Sequence, residues 1–470
     1  MVLSVLTDSD VRRILHSLDR DDIFEIQQSL ADGLHYYSTA TEDNGCCSSY
    51  QPMRTQLKRK DGGTTLFMPA SSTDGLGVKI VTLQTPDSEP SSAKSEFNPN
   101  IERLSISSKS ETASTRNSSL SGSVLDAPPP SVASSQSTTP RGSLTLLDKD
   151  GTPRALINAE ELTAFRTALA SCMIFKKRNT VHDITVFGAG KQAYWHIRLA
   201  IILRPDDVHH VNVVNRDFER AGSMIKSLYH PFGDDESTTG IVSLPHKAKF
   251  SILTNTHHEY GRLVKEHVRK ASVLFLTTPS LEPLFPAEFL TSTEGRRKGR
   301  YIAAIGMYGV EPEGIFVDYG LTHVSKGSYK PHMVELHPEV LKQAVAPHEG
   351  HRHFHKHAPT GGAVLVDSVE ACLKEAGEVI QAGLKPEEVV ELGELVMLKR
   401  DAERRRAELG EHPKGKDGME IKADGGLYEW LSKGNVIYKS VGLGLMDVVT
   451  GREVVRMADE RGIGTRILGF

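Results

Sequence analysis

The chain has 470 residues, with 56 Lys and Arg against 60 Asp and Glu, so its formal net charge is −4. This near-neutral charge, without a long basic block, argues against a general nucleic-acid binder. The 4 cysteines lack metal-ligand spacing and are too few for a disulfide scaffold. We find neither a signal-peptide core nor an apolar run of membrane-spanning length, and therefore expect a cytoplasmic protein that makes no membrane contact.

The first part of the chain predicts helices followed by an antiparallel sheet. Apolar residues recur at helical spacing over 8–36, and strand-like segments follow at 64–69 and 77–83. The Ser-rich stretch 87–141 has too little apolar content to offset the entropy of ordering, so we expect a disordered surface insertion. Residues 143–157 predict a β-hairpin that completes the same sheet beyond this insertion.

From residue 158 strands alternate with helices, which indicates βαβ units, a parallel sheet and the α/β fold class. The predicted helices are 159–176, 191–203 and 217–229, and the predicted strands are 183–187, 208–214, 249–253, 272–277 and 300–305. The remaining segments, 363–399 and 427–470, are mainly helical by pattern. Their last helix is expected to pack back on another domain.

The turn after the strand 183–187 carries the strongest local signal, a GxGxxA sequence that opens a helix. Gly188 permits the tight turn, and Gly190 lets the backbone approach a pyrophosphate. Ala193 allows close packing of helix and strand, while the helix N-terminus, with Lys191 and Gln192, stabilises phosphate charge. The sequence therefore predicts a dinucleotide-binding site.

The residues that follow the predicted strand 208–214, the second strand of the parallel sheet, discriminate between the two nicotinamide cofactors. NAD-binding folds usually place an acidic residue there to hold the ribose 2′-hydroxyl. This chain has Asn215 and Arg216 instead, and a guanidinium suits a 2′-phosphate. NADP(H) is therefore the predicted cofactor, and Asp217, the nearest acid, keeps NAD(H) possible.

Four separated motifs together resemble the ornithine cyclodeaminase/mu-crystallin superfamily. They are GAGKQAYWH (188–196), LTAFRTALAS (162–171), Met68-Pro69 followed by GVKIVT (77–82), and DSVEACLKEAG (367–377). The resemblance implies a Rossmann-type dinucleotide-binding domain, placed at 159–362. It also implies a second α/β domain for substrate binding and dimerisation, built from 1–158 and 363–470, and hence a homodimer.

The same resemblance assigns three basic side chains to catalysis. Arg54 matches the arginine that binds the substrate carboxylate, Lys79 the lysine beside the reacting imine or amine carbon, and Arg166 an arginine between carboxylate and cofactor. The chemistry fits, because the guanidinium fork suits a carboxylate. A desolvated lysine near two cations also has a lowered pKa that suits proton transfer. Further cofactor contacts are expected at Thr277, Thr278, Ile305, Gly306 and Ser440.

One departure from the family pattern guides the functional prediction. Cyclodeaminases of this family carry an Asp after the strand, whereas this chain has Tyr308 there, and Glu311 or Glu313 has no spacing that makes it a substitute. A phenol with a pKa of about 10 is a poor replacement for a carboxylate. The mu-crystallin branch also lacks that Asp and reduces cyclic ketimines.

The sequence thus predicts an NAD(P)H-dependent oxidoreductase that acts on C–N bonds of small anionic imino or amino acids. Two alternatives stay open: an NAD-dependent ornithine cyclodeaminase, and a non-catalytic NADP-binding regulatory protein. A histidine run inside 346–362 invites a metal site, but no Cys or acid with ligand spacing accompanies it. We therefore predict no metal. The run consists of His348, His351, His353, His355 and His357.

Overall fold

The computed structural model describes residues 2–39, 51–52, 54–58, 63–84, 141–233, 240–245, 247–306, 333–346, 363–396 and 422–470. The predicted insertion lies outside these residues except for Arg141, which begins a strand. Tyr308, Glu311, Glu313 and the histidine run also lie outside them. No helix in the described part of the chain is long and apolar enough to cross a membrane.

A seven-stranded mixed sheet contains the N-terminal strands. Its pairs are antiparallel except for one parallel pair, Val2–Leu6 with Pro153–Asn158. The predicted strands and the hairpin are confirmed. In spatial order the strands are Thr465–Leu468, Val2–Leu6, Pro153–Asn158, Arg141–Leu147, Gly75–Gln84, Gly63–Ser72 and Thr55–Lys58.

An eight-stranded sheet, parallel throughout, contains the strand that precedes the glycine-rich turn. Four of its eight strands are buried along their whole length, as expected for a sheet covered on both faces. The predicted α/β class is therefore confirmed. In spatial order the strands are Val389–Glu391, Val364–Val366, Val436–Lys439, Tyr301–Ala304, Val273–Leu276, Asp183–Phe187, His210–Val214 and Lys249–Leu253.

The described C-terminal part contains strands that its mainly helical prediction did not include. Val364–Val366, Val389–Glu391 and Val436–Lys439 are strands of the parallel sheet, which therefore extends beyond residue 362, the predicted end of the dinucleotide-binding domain. Runs of three or four apolar residues contain too little periodicity to separate a buried strand from a buried helix. The correction follows from that ambiguity.

The helices cover both sheets. They are Asp8–His16, Arg20–Thr39, Ala159–Phe175, Lys191–Leu203, Phe218–Tyr229, Tyr260–Lys270, Glu288–Thr291, Pro338–Val345, Val369–Glu375, Gly377–Ala382, Lys422–Lys433 and Gly444–Arg461, with single 3-10 turns at Gly295–Arg297 and Pro386–Glu388.

The last of these helices, Gly444–Arg461, lies against the inner face of the mixed sheet. A Cβ atom at Gly444 would be 2.9 Å from the carbonyl oxygen of Met68, so only glycine permits this approach. In the strand Gly75–Gln84, Gly77, Lys79 and Val81 lie on this buried inner face because side chains alternate across a strand.

Candidate active site

One cavity of about 300 Å³ lies where the carboxyl ends of the parallel strands meet the inner face of the mixed sheet. Every residue that the sequence assigned to cofactor binding or catalysis lines it. These residues are Arg54, Lys79, Arg166, Gly188, Gly190, Lys191, Gln192, Asn215, Arg216, Thr277, Thr278, Ile305, Gly306 and Ser440. The fold thus brings the glycine-rich turn and the basic side chains, far apart in sequence, to one place.

The glycine-rich turn has the geometry of a phosphate cradle. Gly188 has φ +109°, and a Cβ atom there would be 2.9 Å from Oγ1 of Thr277, so both conformation and space require glycine. Gly190 is the N-cap of the helix Lys191–Leu203 and has no side chain to cap its first turn. The helix N-terminus can therefore offer N–H groups and its dipole to an anion. These features fit a dinucleotide pyrophosphate.

Lys191, at the start of the same helix, is engaged by acidic residues of the neighbouring helix. Its Nζ lies 2.8 Å from Oε1 of Glu160 and 2.7 Å from Oε2 of Glu161. Glu161 in turn accepts a hydrogen bond of 2.8 Å from Nε1 of Trp195. Lys191 is thus fixed beside the cradle, with much of its charge balanced by these carboxylates.

Two arginines reach the cavity after the strand His210–Val214: Arg216 lies just after the strand, and Arg220 lies in the first turn of the helix Phe218–Tyr229. Asp217, the acid that kept NAD(H) possible, is instead the N-cap of the helix Phe218–Tyr229 and accepts the N–H of Arg220 at 3.0 Å. The Arg220 side chain donates from Nε to the carbonyl oxygen of Ala189 at 3.4 Å. Sequence analysis missed Arg220, although a second arginine one helical turn after the first was a visible signal.

Lys79 and Arg166 share one buried carboxylate, that of Asp447. Its Oδ1 accepts from Nζ of Lys79 at 2.9 Å and from Nε of Arg166 at 3.2 Å. Lys79 is 2% exposed and Asp447 is fully buried. Sequence analysis missed Asp447, whose only signal was an acidic residue among the apolar positions of the last helix.

The surroundings of Lys79 lower the pKa of its amine toward neutral pH. Burial lowers the pKa of its amine to about 8, and the guanidinium groups of Arg166 and Arg54 act in the same direction. Asp447 opposes them and raises that pKa. Lys79 can therefore gain and lose a proton near physiological pH, as a general acid or base must.

Arg54 forms an ion pair with Glu375, the last residue of the helix Val369–Glu375. Its Nε donates to Oε1 of Glu375 at 2.8 Å, and a terminal guanidinium nitrogen contacts the other carboxylate oxygen. A carboxylate therefore already lies on the guanidinium that the sequence assigned to the substrate. A substrate carboxylate must share Arg54 with Glu375 or replace it.

Two further buried acids hold the backbone around the cavity. Asp367 accepts from Oγ of Ser440 at 2.9 Å and from the N–H of Gly442 at 2.6 Å. Gly442 has φ +82°, and a Cβ atom there would be 2.7 Å from a terminal nitrogen of Arg166. Asp367 thereby fixes the loop against which the Arg166 guanidinium rests.

Glu335 is the second of these acids. It accepts the N–H groups of Thr278 and Gly306, each at 2.6 Å. Burial raises the pKa of Glu335, while the nearby Lys439 and the N–H groups of Gly306 and Thr278 act to lower it. Neither Glu335 nor Asp367 carried a sequence signal for this role, because the groups that they hold lie in distant segments and are largely backbone N–H groups.

The described residues contain no group of three or more His, Cys, Asp or Glu side chains that could hold a metal ion. The histidine run at 348–357 lies outside the described residues, so the absence of a metal site stays a prediction.

Comparison with known proteins identifies relatives at low identity, and no family model matches the chain. It is 28% identical over 262 residues to an uncharacterised protein of Saccharomyces cerevisiae, covering 51% of this chain and 59% of that protein. The chain thus spans less than two thirds of this relative. It is also 23% identical over 320 residues to a Δ1-pyrroline-2-carboxylate reductase of Bacillus cereus, covering 67% of this chain and 70% of the relative.

Solved structures with the same fold cover nearly the whole chain. A Thermococcus litoralis Δ1-pyrroline-2-carboxylate reductase, in complex with NADH and L-proline, matches 99% of this chain and 100% of its own at 18% identity and a TM-score of 0.57. An archaeal alanine dehydrogenase dimer with bound NAD matches 100% of both chains at 18% identity and a TM-score of 0.56. A lysine cyclodeaminase matches 99% of this chain and 95% of its own, at 18% identity and a TM-score of 0.57.

Proposed function

We propose that this chain, which has the fold of the ornithine cyclodeaminase/mu-crystallin superfamily, is an NAD(P)H-dependent reductase of small cyclic imino acids. The observation that carries this proposal is the shared cavity. A phosphate cradle at Gly188–Gln192 and the basic side chains Arg54, Lys79 and Arg166 all line it. A dinucleotide held by the cradle and an anionic substrate held by the basic group would therefore meet in one enclosed space.

The basic residues have distinct tasks in this proposal. Arg54 and Arg166 hold the substrate carboxylate and so fix the position of the imine carbon, which makes the reaction effectively unimolecular. Lys79 holds a proton close to the imine nitrogen, and its lowered pKa makes that proton available near neutral pH. The cofactor, when bound, supplies the hydride. Asp447 keeps Lys79 and Arg166 together on one side of the cavity.

The residues that follow the strand His210–Val214 favour NADP(H) as the cofactor. Arg216 and Arg220 both line the cavity there, and two guanidinium groups suit a 2′-phosphate. Asp217 caps a helix, which leaves its carboxylate engaged with backbone rather than free for a ribose hydroxyl. The expected result is a lower KM for NADPH than for NADH.

A homodimer through the mixed sheet is the proposed assembly. The outer face of this sheet carries apolar side chains that the described part of the chain leaves partly uncovered. Leu76 is 42% exposed and Leu156 is 40% exposed, and Val78 and Ile80 lie half-buried on the same face. A contiguous apolar face of this kind is typical of a protein interface.

The test follows nicotinamide absorbance with purified protein, NADPH and a cyclic ketimine carboxylate such as Δ1-pyrroline-2-carboxylate. Ketimine-dependent oxidation of NADPH supports the reductase. The matched control supplies L-ornithine with NAD and measures ammonia and proline. Their formation without net cofactor change would favour the cyclodeaminase, the second candidate, since a solved cyclodeaminase shares this fold. Cofactor binding without either reaction would favour the non-catalytic alternative.

A further inference from the structure

A buried polar cluster that the proposed reaction does not use lies at the carboxyl ends of the parallel strands, next to the cavity. It consists of Glu335, Glu378 and Lys439, which are all at most 2% exposed. Nζ of Lys439 lies 3.1 Å from Oε1 of Glu378 and 2.5 Å from the carbonyl oxygen of Gly306. The same Glu378 oxygen accepts the backbone N–H of Glu335 at 3.3 Å.

Glu335 directs its two carboxylate oxygens at two different strand ends. Oε1 accepts the N–H of Thr278, and Oε2 accepts the N–H of Gly306, each at 2.6 Å. Thr278 follows the strand Val273–Leu276, and Gly306 follows the neighbouring strand Tyr301–Ala304. With Lys439, which ends the next strand, the cluster ties together three adjacent carboxyl ends of the sheet.

These strand ends form the part of the cavity remote from the Arg216 side. Thr278 and Gly306 both line the cavity, and in doubly wound sheets a ligand binds in the crevice outside the carboxyl ends. Glu335 also limits what can replace Gly306, because a Cβ atom there would be 2.6 Å from the Glu335 carboxyl carbon. The Glu335 side chain thus fixes the backbone of Gly306 through a hydrogen bond and through close contact.

We propose that Glu335 is a positioning residue for the nicotinamide half of the cofactor, acting through the Thr278 and Gly306 backbone. The inference rests on the proposed use of a nicotinamide dinucleotide and is independent of the substrate. Only an ionised carboxylate offers an acceptor oxygen to both N–H groups. A glutamine would accept from one and present its own NH2 group to the other, which leaves a buried donor unpaired.

The experiment compares two ligands on Glu335→Gln, with nicotinamide fluorescence for NADPH and calorimetry for adenosine 2′,5′-bisphosphate. The second ligand contains the adenosine and 2′-phosphate but no nicotinamide. We expect the variant to bind NADPH roughly tenfold or more weakly, because a buried hydrogen-bonding group becomes unsatisfied. Affinity for the bisphosphate should stay within about twofold of the wild type.

Two further variants make the result decisive. Gly306→Ala displaces the Glu335 carboxyl from the opposite side and should give the same selective loss. Glu391→Gln is the matched control, because Glu391 accepts the N–H of Val369 through one oxygen, Oε1, at 2.9 Å, and a glutamine oxygen can still accept it. Unchanged NADPH affinity in Glu335→Gln, or equal loss of both ligands, would overturn the positioning role. If the wild type binds neither NADPH nor NADH, the proposed function itself fails.

Discussion

The pairing of Lys79 with Asp447 predicts how the pH profile responds to a single substitution. Nζ of Lys79 lies 2.9 Å from Oδ1 of Asp447, in a fully buried environment. Burial first, and then Arg166 and Arg54, lower the pKa of Lys79 to about 8, while Asp447 raises it. If Lys79 must be protonated to donate, kcat/KM for the imino acid falls as pH rises through about 8.

Asp447→Asn removes the carboxylate that raises this pKa and keeps nearly the same volume. An opposite charge within hydrogen-bond distance typically changes a pKa by roughly one to three units, so the alkaline limit should move to about pH 5–7. With a pKa of about 6, roughly a tenth of the lysine is protonated at pH 7, which corresponds to about a tenfold loss of kcat/KM. The loss should shrink as the pH is lowered.

The assay measures kcat/KM for the ketimine carboxylate from acidic to alkaline pH at saturating NADPH. Asp459→Asn is the matched control, because Asp459 lies on the same helix, pairs with Arg154 and is remote from the cavity. This control should retain the wild-type profile. An alkaline limit that stays in place in Asp447→Asn would refute the reasoning, as would full turnover by Lys79→Ala.

The remaining predictions address the cradle, the cofactor, the carboxylate and the assembly. Gly188→Ala should abolish cofactor binding, measured by nicotinamide fluorescence, because φ is +109° and the Cβ atom would meet Thr277. Arg216→Ala should raise the KM for NADPH roughly tenfold and leave that for NADH unchanged, since only NADPH has the 2′-phosphate. Arg54→Ala should raise the KM for the imino acid more than tenfold, as expected for a lost charged contact. Leu156→Arg should convert a dimer to monomers in sedimentation equilibrium, and a wild-type monomer would contradict the proposed interface.

Sequence alone was sufficient for features that are contiguous along the chain. The strand Asp183–Phe187, the glycine-rich turn and the helix Lys191–Leu203 occupy successive residues, so their pattern contained both the local structure and its chemistry. The α/β class follows from alternation of strand and helix, and the structure confirms it. Solved structures that cover nearly the whole chain likewise share its overall fold.

Only the tertiary structure determined which charged side chains meet around those features and which of them are buried. Asp447 lies 368 positions from Lys79, and no pattern over such a distance indicates that the two share a hydrogen bond. The C-terminal strands were too short to show a period. Glu335 and Asp367 act mainly on backbone N–H groups of distant segments, and such groups have no sequence signature. Side-chain type and local period are properties of the sequence, whereas the pKa of Lys79 and the shape of the cavity arise only when distant segments exclude water together.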